Sequence, residues 1–168
     1  TITQQLAKTL FPRDTTSTNF PGGKYIRLAT NKFKEWITAV KLERNYSKDE
    51  IMAMYMNAIF FGSNAFGIKS AANTFFNKEP IDLNIQESAT LVGIVNKPTR
   101  YNPVINYERS IERRNHVISQ MGKYGYITTA EADSLKQLPI ELDYNQLDHN
   151  TSIAPYFRDM LKKYMSAK

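Results

Sequence analysis

The sequence predicts a mainly α-helical protein in one domain, and three observations carry that prediction. Apolar residues recur at helical spacing through most of the chain, strand-like alternation is rare, and two capping boxes mark helix starts at Ser47-Lys48-Asp49-Glu50 and Thr128-Thr129-Ala130-Glu131. At 168 residues the chain is long enough for one domain with a core and short for two.

The elements follow in order. Ile2, Leu6 and Leu10 recur every four positions and predict a first helix over Thr1–Leu10, with Thr1, Gln5 and Lys8 on another face and Pro12 as its stop. Residues 13–23, rich in Thr, Ser, Asn, Pro and Gly, read as an exposed loop. Helix resumes near Thr30 and runs toward Arg44, with Phe33, Trp36, Ile37 and Val40 expected as its inward stripe. The first capping box opens a helix that carries Ile51, Met54 and Tyr55 inward and ends near Asn57. The Met and aromatic residues of this stretch, up to Phe61, are expected in the core.

Gly62 to Gly67 is a turn. Ile68, Ala71, Ala72, Phe75 and Phe76 then trace one helix face, and Asn77 is its stop. A helix from about Asn84 to Val95 precedes an extended stretch bracketed by Pro98 and Pro103. A long amphipathic helix covers Tyr107 to Tyr124, with Ile111, Ile118 and Met121 inside and Gly125 as cap. Its Arg109, Arg113 and Arg114 interleave with Glu108 and Glu112, the pattern of a solvated ion-pair face. After the helix opened by the second capping box, the chain from Gln137 onward is polar and irregular. The domain is therefore expected over residues 1–136, with a tail or linker over 137–168.

Composition removes several kinds of chemistry. There is no cysteine, so disulfides, thiolate metal sites and cysteine nucleophiles are excluded, and the two histidines, His116 and His149, lie in no metal-binding spacing. The formal charge of +6 calls for an acidic partner. The excess is concentrated early: residues 1–50 carry nine Lys or Arg against five Asp or Glu, whereas residues 101–150 carry five against seven. No apolar run reaches the roughly 18 residues that span a bilayer.

Two features could carry chemistry. Glu35 lies opposite the Phe33, Ile37 and Val40 stripe, with Ala39 and Leu42 along its own side, so it is expected to be partly desolvated, and Lys32 is within reach at i−3. Such a carboxylate can be an acid, a metal ligand or a holder of phosphate-binding lysines, although the commoner use of the pattern is an ordinary solvated pair. The second feature is the polar stripe of Gln5 and Lys8, joined later by Lys24, Arg27 and Lys32. Several cations with an amide between them suit a pyrophosphate, and equally a solvated basic face. There is no Gly-rich nucleotide-binding loop.

The order of segments adds a resemblance. "TITQQLAK", Thr1–Lys8, resembles the second conserved block of the peptidoglycan glycosyltransferases of class A penicillin-binding proteins, where it follows Gly-Gly-Ser. "KFKEWITAVKLERNYSKDEIMAMYMN", Lys32–Asn57, is similar to the third block, with its pattern R-K-x-x-E, then A-x-x-L-E and Y-L-N. "GSNAFGIKSAANTFFNK", Gly62–Lys78, resembles the fourth, and "LNIQESATLVGIVNKPTRYNP", Leu83–Pro103, the fifth. "RRNHVISQMGKYGYIT" resembles the usual sequel, so the likeness covers Thr1 to Thr128. "IAPYFRDML", Ile153–Leu161, resembles the connection toward a transpeptidase domain.

The resemblance implies a mainly α, lysozyme-like fold and the polymerisation of lipid II into glycan strands at the outer face of the cytoplasmic membrane. It implies that Glu35 is the second essential glutamate, assisting departure of the pyrophosphate directly or through a divalent cation, with Lys32 beside it. Arg27, Gln5 and Lys8 become pyrophosphate-binding residues. Lipid II, the glycan strand, the membrane and a covalently linked transpeptidase domain are the implied partners, with no nucleic acid and no organic cofactor.

Departures from the pattern shape the expectation. Asn31 stands where R-K-x-x-E has arginine, and Phe60 where a tyrosine is frequent. The first block, whose glutamate would deprotonate the acceptor sugar, has no counterpart, so this segment alone is expected to be catalytically incomplete, with a membrane anchor upstream. The alternatives are a lysozyme-like hydrolase or lytic transglycosylase, and a non-catalytic scaffold that binds lipid II or a partner.

Overall fold

Helix-forming segments separated by turn residues give a fold of seven α-helices among the described residues. The computed structural model describes residues 1–11 and 23–145, with Phe157, Met160, Leu161, Tyr164 and Met165 further on. Pro12, residues 13–22 and His149 lie outside the described residues. The helices are α1 (Ile2–Leu10), α2 (Gly23–Asn45), α3 (Lys48–Ala58), α4 (Ile68–Phe76), α5 (Ile85–Asn96), α6 (Tyr107–Lys123) and α7 (Thr129–Gln137). A 3-10 turn at Pro80–Asp82 joins α4 to α5.

Local chemistry sets the helix ends. Ser47 and Thr128 accept from the amides of Glu50 and Glu131, whose carboxylates reach back to the capping residues' amides, as the sequence predicts. Thr1 and Asn84 form two further boxes, with Gln4 and Glu87. Asn77 ends α4 in the left-handed conformation at φ 50°. The turn before α4 holds Gly62 at φ 85° and Gly67 at φ 80°. A Cβ on Gly67 would lie 2.7 Å from the Asn57 carbonyl oxygen, so only glycine allows this turn to close against the end of α3.

Packing joins two groups of helices. α1 lies against α2 and α3, α5 against α6, and α6 against α7, with α4 touching both α3 and α5. The main core is built from Leu6, Ile51, Tyr55, Phe61, Phe75 and Leu91, among others. Phe75 is fully buried, which contributes about 2–3 kcal/mol relative to an exposed ring.

Several expectations are corrected by tertiary contacts. In α1 only Leu6 of the predicted stripe is buried, and Thr3 and Ala7 join it because the helix is gripped from two sides by α2 and α3. α2 starts at Gly23, about two turns before Thr30. Its inward face is also different: Phe33 and Trp36 are 58% and 54% exposed and Ile37 is exposed, whereas Asn31, Glu35 and Ala39 are buried. α2 has apolar residues on two sides, so periodicity alone cannot choose which one meets α1. Pro98 and Pro103 bracket hydrogen-bonded turns rather than an extended stretch, with Arg100 and Tyr101 amides donating to the Lys97 carbonyl and the Val104 amide to Asn102 Oδ1.

Arg109, Glu108 and Glu112 are exposed as expected on α6, but Arg113 and Arg114 do not belong to a solvated face. Arg114 is fully buried, donating to Asn115 Oδ1 and to the Lys136 carbonyl, and Arg113 lies half-buried with its guanidinium 5.7 Å from the Tyr101 ring centre. The packed unit also runs past residue 136. Ile140 is buried in the main core, and the amides of Asp143 and Asn145 donate to the carbonyls of Phe75 and Thr74. That segment is irregular, as its polar sequence predicts, yet it closes over the end of α4.

Candidate functional site

The site is built where α1 crosses α2 and α3. Two side-chain hydrogen bonds fix that crossing: Thr3 Oγ1 donates to Glu43 Oε1 at 2.7 Å, tying α1 to α2, and the Tyr55 hydroxyl donates to Gln5 Oε1 at 2.8 Å, tying α1 to α3. Burial pushes the Tyr55 phenol's pKa up, so it remains a donor at neutral pH. With its carbonyl oxygen engaged, Gln5 keeps the two donors of its amide nitrogen for another partner.

On α2, Glu35 is 8% exposed and its Oε2 accepts from Lys32 Nζ at 3.2 Å. The lysine's side chain is 70% exposed, so the pair has one end in the protein and one in solvent. An ammonium has three donors, and holding one on Glu35 leaves two directed by that contact toward any anion arriving from solvent. Arg27 is half-buried two turns before Glu35, and Asn31, 7% exposed, lies between them at four-residue spacing. Arg27, Asn31 and Glu35 therefore share one face of α2.

Of the five residues expected at the site, the structure brings Lys32 and Glu35 into direct contact. Gln5 pairs with Tyr55, Lys8 is exposed three residues beyond it on the same side of α1, and Arg27 shares the Glu35 face. Sequence reasoning missed Thr3, Glu43 and the Tyr55 hydroxyl, which act across long sequence separations. The burial of Asn31 was legible in part, because it sits one turn from a glutamate already expected to be desolvated.

No group of three or more His, Cys, Asp or Glu side chains gathers to hold a metal among the described residues. Glu35 offers a single carboxylate. That donor set fits a hard cation of the Mg2+ kind, which keeps most of its water and is held by one or two carboxylates together with phosphate oxygens.

The Tyr55–Gln5 contact gives a stability prediction. Tyr55→Phe keeps the ring and removes one partly buried hydrogen bond, so the denaturant midpoint should fall by the equivalent of about 1 kcal/mol. An unchanged midpoint would mean that this bond does not fasten α1 to α3.

A family model described as "Transglycosylase" matches residues 1–122. Penicillin-binding protein 1A of Aquifex aeolicus is 36% identical over 100% of this chain and 21% of its own length. Penicillin-binding protein 1F of Bacillus subtilis is 41% identical over 79% of this chain and 17% of its own. The 2.6 Å crystal structure of penicillin-binding protein 1A from Haemophilus influenzae matches with a TM-score of 0.56 at 32% identity, covering 74% of this chain and 18% of that one. The chain spans about a fifth of the length of the curated relatives it matches.

Proposed function

Because the chain belongs to the transglycosylase family, we propose that it is part of a peptidoglycan glycosyltransferase that polymerises lipid II into glycan strands and releases undecaprenyl pyrophosphate. The observation that carries this reading is the buried Glu35 carboxylate holding a solvent-facing Lys32 on the helix that resembles the family's third block. In the reaction, an acceptor sugar hydroxyl gives its proton to a general base, the role the resemblance assigns to the first-block glutamate, and its oxygen bonds to the anomeric carbon of the donor sugar while that carbon's bond to the pyrophosphate oxygen breaks. Negative charge accumulates on the leaving pyrophosphate. Lys32, oriented by Glu35, supplies a fixed ammonium where that charge develops, and Arg27, Lys8 and the Gln5 amide add donors around it. A divalent cation held by Glu35 and the pyrophosphate oxygens would supply further charge neutralisation there.

The surroundings suit a lipid-linked substrate. On α2, Ile26, Phe33, Trp36 and Ile37 are exposed, with the Phe33 and Trp36 rings 5.9 Å apart, so one helix carries an apolar outer face and a polar inner one. We place this face toward the outer surface of the cytoplasmic membrane, where the substrate's tail is embedded, with a transpeptidase domain elsewhere in the longer protein. No helix among the described residues is long and apolar enough to cross a membrane itself.

The test is to incubate the full-length protein separately with lipid II and with finished peptidoglycan. Long glycan strands from lipid II and no soluble fragments from peptidoglycan are expected. Fragments released from the polymer would favour a lysozyme-like hydrolase or lytic transglycosylase, which has no pyrophosphate to neutralise. Binding of lipid II without turnover would favour a scaffold.

A further inference from the structure

We infer that Tyr55 is a positioning residue for glycosyl transfer, its hydroxyl holding the Gln5 carboxamide in the orientation that presents N–H donors, not the carbonyl, to the leaving pyrophosphate. The inference rests on the glycosyltransferase reading above and adds a residue that acts through Gln5. Tyr55 is buried on α3 whereas Gln5 is exposed on α1, so a core phenol sets the direction of a surface amide. The hydroxyl donates to Gln5 Oε1 at 2.8 Å, and among the described residues that is its only hydrogen bond. Tyr55 shares the main core with Leu6, the neighbour of Gln5, so packing fixes where the hydroxyl stands.

A carboxamide has nearly the same shape at its two ends and opposite polarity. Turned the other way, Gln5 would face solvent with an acceptor that repels a phosphate oxygen, and the buried phenolic proton would have no acceptor. Buried hydroxyls are satisfied with few exceptions, so the phenol disfavours that orientation. Burial also pushes the phenol's pKa up, which keeps the group protonated and donating at neutral pH. A phenylalanine would fill the same core space, so the hydroxyl's separate contribution is the polarity of the Gln5 amide.

The test measures initial rates of polymerisation by the full-length protein against lipid II concentration, with denaturant midpoints alongside. The variants are Tyr55→Phe, Gln5→Ala and Gln5→Lys, and Tyr55→Phe combined with each Gln5 change. Tyr55→Phe should lower kcat about fivefold, the equivalent of one neutral hydrogen bond, and move KM less, because the leaving charge develops in the transition state. In the Gln5→Ala background it should lower kcat no further. A lysine at position 5 supplies donors with no acceptor end to turn away, so Tyr55→Phe with Gln5→Lys should recover kcat while its midpoint stays reduced. A bond that only fastens α1 to α3 would not allow activity to return without stability. Gln5→Glu tests the same point without touching the core: it keeps an acceptor for Tyr55, replaces the donors by a negative oxygen, and should lose more activity than Gln5→Ala. Parental kcat in Tyr55→Phe, a further loss in the Gln5→Ala background, no recovery with Gln5→Lys, or a Gln5→Glu loss no larger than that of Gln5→Ala would each overturn the inference. The glycosyltransferase reading then stands as long as the parent makes glycan strands. A parent that makes none from lipid II removes both.

Discussion

Glu35→Gln is expected to abolish glycan polymerisation by the full-length protein while leaving its fold and thermal midpoint unchanged. The two halves of this expectation have separate causes. Glutamine has nearly the volume of glutamate, so a site in which the side chain is 8% exposed remains filled. The change removes the charge that holds the Lys32 ammonium at 3.2 Å, but Lys32 is largely exposed, so water replaces the lost partner and little stability is lost. Catalysis has no such substitute. A neutral amide cannot take a proton, and it holds Lys32 or a cation only as an uncharged acceptor, so a loss of at least about a hundredfold is expected. Strand length on gels after incubation with lipid II reads the activity, and a circular dichroism melt reads the fold. Near-parental polymerisation by the variant would take Glu35 out of the mechanism.

Arg114→Ala should be the most damaging substitution for stability away from the site, costing about 3–5 kcal/mol. Arg114 is fully buried, with Nε and Nη2 donating to Asn115 Oδ1 at 3.1 and 2.9 Å, Nη2 to the Lys136 carbonyl at 3.2 Å and Nη1 to Gln86 Oε1 at 3.5 Å. One guanidinium thus connects α5, α6 and the end of α7. Among the described residues no carboxylate pairs with it, and desolvation lowers its pKa, with Tyr107 opposing the shift. Truncation leaves a cavity of nearly a whole arginine side chain and strips partly buried acceptors of their donors. Arg114→Lys should recover only part of the loss, because a single ammonium cannot reach acceptors on three helices. Urea denaturation gives both values. A loss below about 1 kcal/mol for the alanine variant would show that the helices hold together without this network.

The two residues also mark how far sequence patterns reach. The Lys32–Glu35 pair was legible because it is local: three residues on a helix bring the side chains together whatever else the chain does. The capping boxes at Ser47 and Thr128 and the α4 stripe of Ala71, Ala72, Phe75 and Phe76 were legible for the same reason. Arg114 was not. Beside Arg113 and among Glu108 and Glu112 it has the local signature of a solvated charge, and its burial depends on carbonyls and amides brought from α5 and α7. The Thr3–Glu43 and Tyr55–Gln5 contacts were hidden in the same way, since neither partner's neighbours in sequence hint at the other.

What the sequence determined by itself was the succession of helices, the caps at Ser47 and Thr128, the order of blocks that identifies the family, and the local Lys32–Glu35 pair. What only the tertiary structure decided was which faces those helices turn inward. α2 is the clearest case. Phe33, Trp36 and Ile37 make the more apolar face, yet Asn31, Glu35 and Ala39 are the residues buried. Helical periodicity records only that a face exists. The choice between faces belongs to the free energy of packing against α1 and α3, a sum over contacts among residues far apart in the chain, and it places the Glu35 carboxylate and the Asn31 amide on the inner face of α2.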